Sequence, residues 1–244
     1  MFLRSPADIC IYGGAAGGGK TYALLLECLR HIDNKLFEAV IFRQSRPQIM
    51  SAGGLYATSQ EIYPHLGASS VLTPNVQWRF QSGAKVTFAH MFYEKEKYNW
   101  QGSQIPLLMF DELVHFTESQ FFYMFSRNRS TCGVRPYIRA TCNPDGESWV
   151  ARFIDWWIDP ETGYADESRC GKLRYFIRRN NIIHWADTPQ QLYEEFHLYS
   201  PEEMEEVKSV SFISAKLTDN AAMMKHDPGY IGALKAMSDF DQEQ

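Results

Sequence analysis

The sequence predicts an α/β domain with a central, mainly parallel β-sheet flanked by helices, and a smaller lid-like subdomain appended to it. Three observations predict this class. Residues 8–12 (DICIY) form a short apolar run ending in glycines, followed by a helical stripe and a second apolar run at 38–42 (EAVIF), the order of a βαβ unit. Residues 105–110 (IPLLMF) are continuously apolar, as expected of a strand covered on both faces. Between the first run and its helix lies a glycine-rich turn of the kind that receives phosphate.

Each further element follows from its local pattern. Tyr22, Leu25, Leu29 and Ile32 fall on one stripe of the first helix. Residues 75–80 and 84–91 are β-type runs joined through Ser82-Gly83, which predicts a hairpin. A helix is expected over 116–126, a strand over 136–141 (PYIRAT) and an aromatic helix over 148–158. A second hairpin is expected from 172–177 and 181–185 around residues 178–180, then polar helical stretches at 188–199 and 201–207 and a strand at 211–217. Asp227-Pro228 reads as a helix start, with Asp as cap and Pro in the first turn. The change of pattern divides the chain into a nucleotide-type core over 1–150 and, over 151–244, a lid or linker subdomain together with the end of the core domain.

Composition narrows the class of function. The 244 residues are 45% hydrophobic and 14% aromatic, which excludes a disordered chain. With 24 basic and 29 acidic residues the net charge is −5, which argues against a generally basic DNA-coating protein. No apolar run approaches the ~20 residues needed to cross a bilayer, and the first eight residues are too short and polar for a signal peptide. The five cysteines (Cys10, Cys28, Cys132, Cys142, Cys170) are odd in number and widely spaced, so reduced structural thiols are expected. The seven histidines show no metal-ligand spacing.

The strongest chemical signal is Gly14-Ala15-Ala16-Gly17-Gly18-Gly19-Lys20-Thr21, a complete GxxxxGK[ST]. Glycines let consecutive backbone N–H groups turn toward phosphate oxygens, and the helix that follows adds its positive N-terminal end. Lys20 is expected on the β- and γ-phosphates of ATP, and the Thr21 hydroxyl on Mg²⁺. The second signal is Leu107-Leu108-Met109-Phe110-Asp111-Glu112, a buried strand ending in two acids. Asp111 is assigned to the metal shell and Glu112 to the attacking water. The bland reading of this pair is a strand ending in a solvated acidic turn; the glycine loop upstream favours the catalytic one. Two acids with distinct tasks, and the absence of an Asn-Lys-x-Asp guanine signature, indicate hydrolysis of ATP. The third signal, Ala140-Thr141-Cys142-Asn143-Pro144, closes a candidate strand. On spacing alone it is an Asn-Pro turn, with phosphate or water contact by Thr141 and Asn143 as the alternative.

Together GGAAGGGKT, LLMFDE and RATCNP, in this order, resemble the ATPase half of the large terminase subunits of tailed phages, the DNA-packaging motors. VIFRQSRPQI, SRNRS and SFISAKLTDNAAMMKHDPGYIGALKAM extend the resemblance over nearly the whole chain. The resemblance implies a P-loop NTPase of the ASCE type, with Thr141 to Pro144 as the motif coupling phosphate state to movement and Asn143 sensing the result. It implies ATP hydrolysis driving double-stranded DNA into a procapsid. It also implies a homomeric ring of five on a portal protein, and a small terminase subunit choosing the DNA. An isolated domain is expected to be monomeric and slow. The expected location is the host cytoplasm, transiently at the procapsid portal.

An arginine stabilising the transferring phosphoryl group is expected, often from a neighbouring subunit. Arg127 and Arg129 (SRNRS) are the candidates, with Arg43 and Arg46 (FRQSR) as nucleotide or lid contacts. Some family members carry an arginine just before the glycine that precedes the Asp-Glu strand; here the place reads Trp100-Gln101-Gly102. Arg174, Arg178 and Arg179, beside Tyr175 and Phe176, are either a DNA-backbone contact or the charged rim of a hairpin. Trp149, Trp156 and Trp157 are expected to pack in the core. Only seven residues follow the DPGYIGALKAM segment, so a metal-dependent nuclease domain, and with it DNA cleavage, is not expected from this chain. The competing readings are a helicase- or recombinase-like ATPase, and a nucleotide-binding module without turnover.

Overall fold

The computed structural model describes residues 1–14, 18–143 and 146–215. Ten strands join one sheet: β1 (Ile9–Gly14), β2 (Glu38–Arg43), β3 (Ser69–Val71), β4 (Val76–Arg79), β5 (Lys85–His90), β6 (Leu107–Phe110), β7 (Tyr137–Cys142), β8 (Leu173–Arg179), β9 (Ile182–Ala186) and β10 (Lys208–Ala215). Their order is β3-β4-β5-β2-β6-β7-β1-β10-β8-β9. The six central strands, β5 to β10 in that order, are all parallel to one another, and antiparallel pairs form both wings. Among the described residues seven α-helices accompany them: α1 (Lys20–Glu27), α2 (Arg46–Met50), α3 (Leu55–Gln60), α4 (Glu118–Phe125), α5 (Trp149–Ile154), α6 (Pro189–Glu195) and α7 (Pro201–Met204).

The central strands are apolar throughout because both faces are covered. In β6, Leu107 and Met109 point to one core while Leu108 and Phe110 point to the other; in β2, Ala39 and Ile41 oppose Val40 and Phe42 in the same way. The first core lies under α1, α2 and α3, with Leu24, Leu25, Ile49, Leu55 and Tyr63. The second lies under α4 and α5, with Phe121, Phe122, Val150, Phe153, Ile154 and Trp157. Helix α4 starts at a reciprocal cap: Thr117 Oγ1 accepts from the Gln120 backbone at 3.0 Å, and Gln120 Oε1 accepts from the Thr117 backbone at 2.8 Å. The predicted aromatic helix appears as α5, capped by Ser148, and tightens into a 3₁₀ turn at Asp155–Trp157.

The turn between β8 and β9 is made by Asn180 and Asn181, both at positive φ (50° and 64°), the pairing a two-residue hairpin favours. The sheet does not stop at residue 150, where the change of sequence pattern places a boundary. β10 pairs in parallel with β1 along its length, and β8 and β9 extend the sheet beyond it. Strand pairing is long-range, so a local change of pattern does not report it. What the region after 150 has of its own is a small satellite core of Ile177, Ala186, Leu192, Leu198 and Val207, under α6 and α7. Among the described residues no helix is long and apolar enough to cross a membrane. The predicted helix start at Asp227-Pro228 and the last two residues of the predicted strand at 211–217 lie outside the described residues.

Candidate phosphate and metal site

Parallel strands expose their carboxyl ends at one edge of the sheet, where ligands of open α/β folds bind. At this edge β1, β7, β6 and β2 are consecutive neighbours, so the residues that leave them converge although they are far apart in sequence. β7, lying between β1 and β6, is what brings its terminal Thr141 against the acid pair.

The glycine loop leaves β1 at Gly14, whose φ is +135°; a Cβ here would lie 2.2 Å from the Ala215 carbonyl oxygen of β10. Only glycine fits beside that strand. Gly19 caps α1 at φ 74°, in the left-handed region, and Lys20 is the first helical residue. Ala15, Ala16 and Gly17 lie outside the described residues, as does Pro144 of the third motif; Gly18 is buried, and its carbonyl accepts the Tyr12 hydroxyl at 3.4 Å. Lys20 is buried, its Nζ donating to the Gly14 carbonyl at 2.7 Å and to Asn143 Oδ1 at 2.5 Å. Burial lowers the Lys20 ammonium below the ordinary lysine range, against the pull of Glu112 and Asp111. Thr21 follows it on the first turn of α1.

The acid pair leaves β6. Asp111 is 4% exposed; its Oδ1 accepts the Thr141 hydroxyl at 2.8 Å, and its Oδ2 lies 3.1 Å from Arg43 Nη1. Burial raises the Asp111 carboxyl above the usual aspartate range, and the Arg43 guanidinium and Thr141 hydroxyl oppose that rise. Glu112 follows in the left-handed region (φ 62°), a backbone cost that turns its carboxylate back over the sheet edge. Its N–H donates to Thr141 Oγ1 at 3.0 Å, and its Oε1 lies 3.4 Å from Arg43 Nη1. Thr141 thus braces both acids, donating to one side chain and accepting from the other backbone. Cys142 beside it is buried, its thiol pushed up to about 12, an inert packing group.

The structure therefore gathers Gly14, Lys20, Asp111, Glu112, Asn143 and Arg43, with Thr21 on the adjoining turn. Arg43, expected on the nucleotide, sits on the two acids; the signal for it is a charged residue closing the apolar run 39–42 of β2. The other arginines lie elsewhere. Arg46 donates to the Leu72 and Pro74 carbonyls at 2.8 and 3.3 Å, tying α2 to the turn before β4. The Arg127 carbonyl accepts from the Ile105 backbone, and Arg129 donates to the Ser103 carbonyl at 3.2 Å. Both belong to the opposite end of β6, about six residues and roughly 20 Å of strand from the acids, and join no site among the described residues of one copy of the chain.

Arg174 pairs with Asp187 at 3.1 Å, Arg178 with Glu118 at 3.9 Å, and Arg179 with Glu206. Arg178 also lies 4.1 Å over the Phe122 ring, and Arg174 stacks on Trp156 and Trp185. These partners favour the charged-rim reading of the hairpin over DNA contact. Trp157 is buried and Trp149 and Trp156 pack against the second core, as expected of packing residues.

The family model described as "Terminase large subunit, T4likevirus-type, N-terminal" matches residues 11–244. No curated protein matches the chain. Among solved structures, the large terminase ATPase domain of Thermus phage P74-26 is 12% identical, with a TM-score of 0.52 over 98% of this chain and 88% of that one. The full large terminase of a thermophilic bacteriophage, in complex with ADP, is 11% identical, with a TM-score of 0.53 over 95% of this chain and 46% of that one. The same terminase in complex with ATP-gamma-S is 13% identical, with a TM-score of 0.52 over 96% and 47%. The chain thus spans about half the length of that second terminase.

Proposed function

This chain belongs to the terminase large subunits, in their T4likevirus-type N-terminal region, and from that premise we propose that it is the ATPase that drives double-stranded viral DNA into a procapsid. The observation that carries the proposal is the convergence of Lys20, Asn143, Thr141, Asp111 and Glu112 at one sheet edge. A nucleotide-binding module without turnover needs the lysine and glycines; it has no use for a second acid held in a costly backbone conformation.

The roles follow from position. Gly14 to Gly19 bind the phosphates through backbone N–H groups, and Lys20 places a cation against the β- and γ-phosphate oxygens. Asp111 and the Thr21 hydroxyl fit a Mg²⁺ ion: the first is a buried carboxylate at a strand end, the second a hydroxyl on the loop's helix. Bound there, the ion neutralises charge on the phosphate oxygens. Glu112 orients the attacking water and takes its proton. Asn143, hydrogen-bonded to Lys20, lies where gain or loss of the γ-phosphate is felt first. Arg43 contributes positive charge beside both acids. Arg127 and Arg129, at the other end of β6, serve a neighbouring copy's phosphates in a ring of five on the portal. A small terminase subunit delivers the DNA. The work is done in the host cytoplasm and at the procapsid.

The test is single-turnover hydrolysis of ATP by wild type and Glu112→Gln, together with nucleotide binding in Mg²⁺ and in EDTA. The expected result is a loss of at least about a hundredfold in hydrolysis with ATP still bound, and wild-type hydrolysis only in the presence of Mg²⁺. Unchanged hydrolysis by Glu112→Gln would defeat the catalytic reading.

A further inference from the structure

Two chain segments leave the site side by side. One runs from Glu112 through the 3₁₀ turn Leu113–His115 to Phe116 and the Thr117 cap of α4. The other belongs to β7 and α5: Asn143 stands just past the end of β7, and Ser148 caps the start of α5. Trp149, the first residue of α5, joins them: its indole Nε1 donates to the Phe116 carbonyl at 2.7 Å. The ring is held in turn by Phe121, whose centroid is 5.1 Å away, and by Phe153 at 5.9 Å. Ser148 fixes the start of the helix by accepting from the Ala151 backbone at 3.1 Å.

We propose that Trp149 is a positioning residue for hydrolysis, fixing the Glu112 turn to the helix that follows Asn143 so that the acid's carboxylate moves with the segment that reads the nucleotide. The inference rests on Glu112 being the group that activates water. The turn carrying Glu112 is held at both ends. Upstream, its N–H is bonded to Thr141 on β7; downstream, the carbonyl four residues on is bonded to Trp149. Both anchors belong to the same β7–α5 stretch, on either side of Asn143. Glu112 itself sits in a conformation a non-glycine residue does not keep without such support. Replacing this half-buried indole by a phenyl ring deletes the hydrogen bond and keeps an aromatic ring beside Phe121 and Phe153; the loss of the second ring is matched in a control that shortens another indole of the cluster.

The experiment compares Trp149→Phe with Trp185→Phe, which alters an indole of the same aromatic cluster, 5.2 Å from Phe153, that bonds to neither of the two segments. Single-turnover hydrolysis of ATP, KM for ATP, and the change in tryptophan emission on adding ATP-gamma-S are measured for the 244-residue chain. Trp149→Phe is expected to lower the hydrolysis rate about tenfold, with KM within about twofold of wild type, and to lose most of the emission change. Trp185→Phe is expected to keep both the rate and the emission change. Equal rates for Trp149→Phe and wild type, or the same rate loss in both variants, overturns the proposal. If Trp149→Phe does not fold, benzothienylalanine in place of Trp149 decides: it keeps the bicyclic shape and lacks the N–H, so a tenfold loss supports the proposal whereas a rate within about threefold of wild type overturns it. Glu112→Gln run alongside separates the two readings. If it hydrolyses ATP normally, the catalytic assignment fails; if it is inactive while Trp149→Phe is normal, only the positioning role fails.

Discussion

Two regions of this molecule gather basic side chains, and they treat them in opposite ways. At the strand ends, Lys20 and Arg43 face Asn143, Asp111 and Glu112 across four different strands, and burial works against the charged forms of both Lys20 and Asp111. Around β8 and β9, Arg174, Arg178 and Arg179 each have an acid partner, and the guanidinium carbons of the first two lie over aromatic rings. The first arrangement holds charges together against the cost of burying them. The second neutralises charge and uses the guanidinium planes as packing surface. Residue type is the same; the edge of the sheet on which it falls decides what it does.

The comparison breaks most visibly if the two sets of cations prove interchangeable in effect. Lys20→Ala is expected to reduce ATP hydrolysis by about a thousandfold, the scale seen when a preorganised cation or donor on a reacting group is removed. Arg179→Gln, on the half-exposed hairpin, is expected to leave hydrolysis within about twofold; the same single-turnover assay reads both. A smaller effect, on stability rather than turnover, is expected from the aromatic region. Phe176 is 1% exposed and packs against Phe122, Phe153 and Trp185. Phe176→Ala should cost about 3–5 kcal/mol in urea unfolding, with nucleotide binding by the folded fraction unchanged.

The smallest effect sharpens the contrast with a pair near the catalytic edge whose ionisation stabilises the fold. Glu94 accepts from Lys97 and from the Thr117 cap of α4, and these bonds lower its carboxyl to about 2. A carboxyl depressed on folding stabilises the protein above its unfolded value, near 4.5, and loses that contribution as pH falls toward 2. Glu94→Gln should therefore be less stable than wild type at pH 7, by well under the cost of Phe176→Ala because Glu94 is nearly half exposed. The gap should close between pH 4.5 and 2, which unfolding curves at several pH values check.

Much of the parallel core is legible in the chain because each strand advertises itself locally. The runs at 8–12, 38–42 and 105–110 become β1, β2 and β6, and the GxxxxGKT stretch marks the loop between β1 and α1. The order of the strands is not local. Nothing near residue 210 announces that β10 lies beside β1, so the change of pattern near residue 150 says nothing about where the sheet ends. The arginine cluster at 174–179 shows the same limit. Its partners Glu118, Asp187 and Glu206 come from three other places, so the sequence shows the cations without the acids that neutralise them. Arg139 is a further case. It stands in an apolar strand, 4% exposed, its guanidinium donating to the Ala7 and Ser5 carbonyls, a contact only the closed sheet supplies.

The pairing of β1 with β10 also sets a schedule. Ile9 and Val210 are partners separated by about two hundred residues, while the other side of β1 is closed earlier by β7. At the usual pace of synthesis, roughly 5–20 residues per second, the strand that feeds the glycine loop waits some ten to forty seconds for its last neighbour. During that wait its open edge is a hydrogen-bonding row without a partner. The geometry at Gly14, fitted against Ala215, is thus completed only after about two hundred further residues have been made.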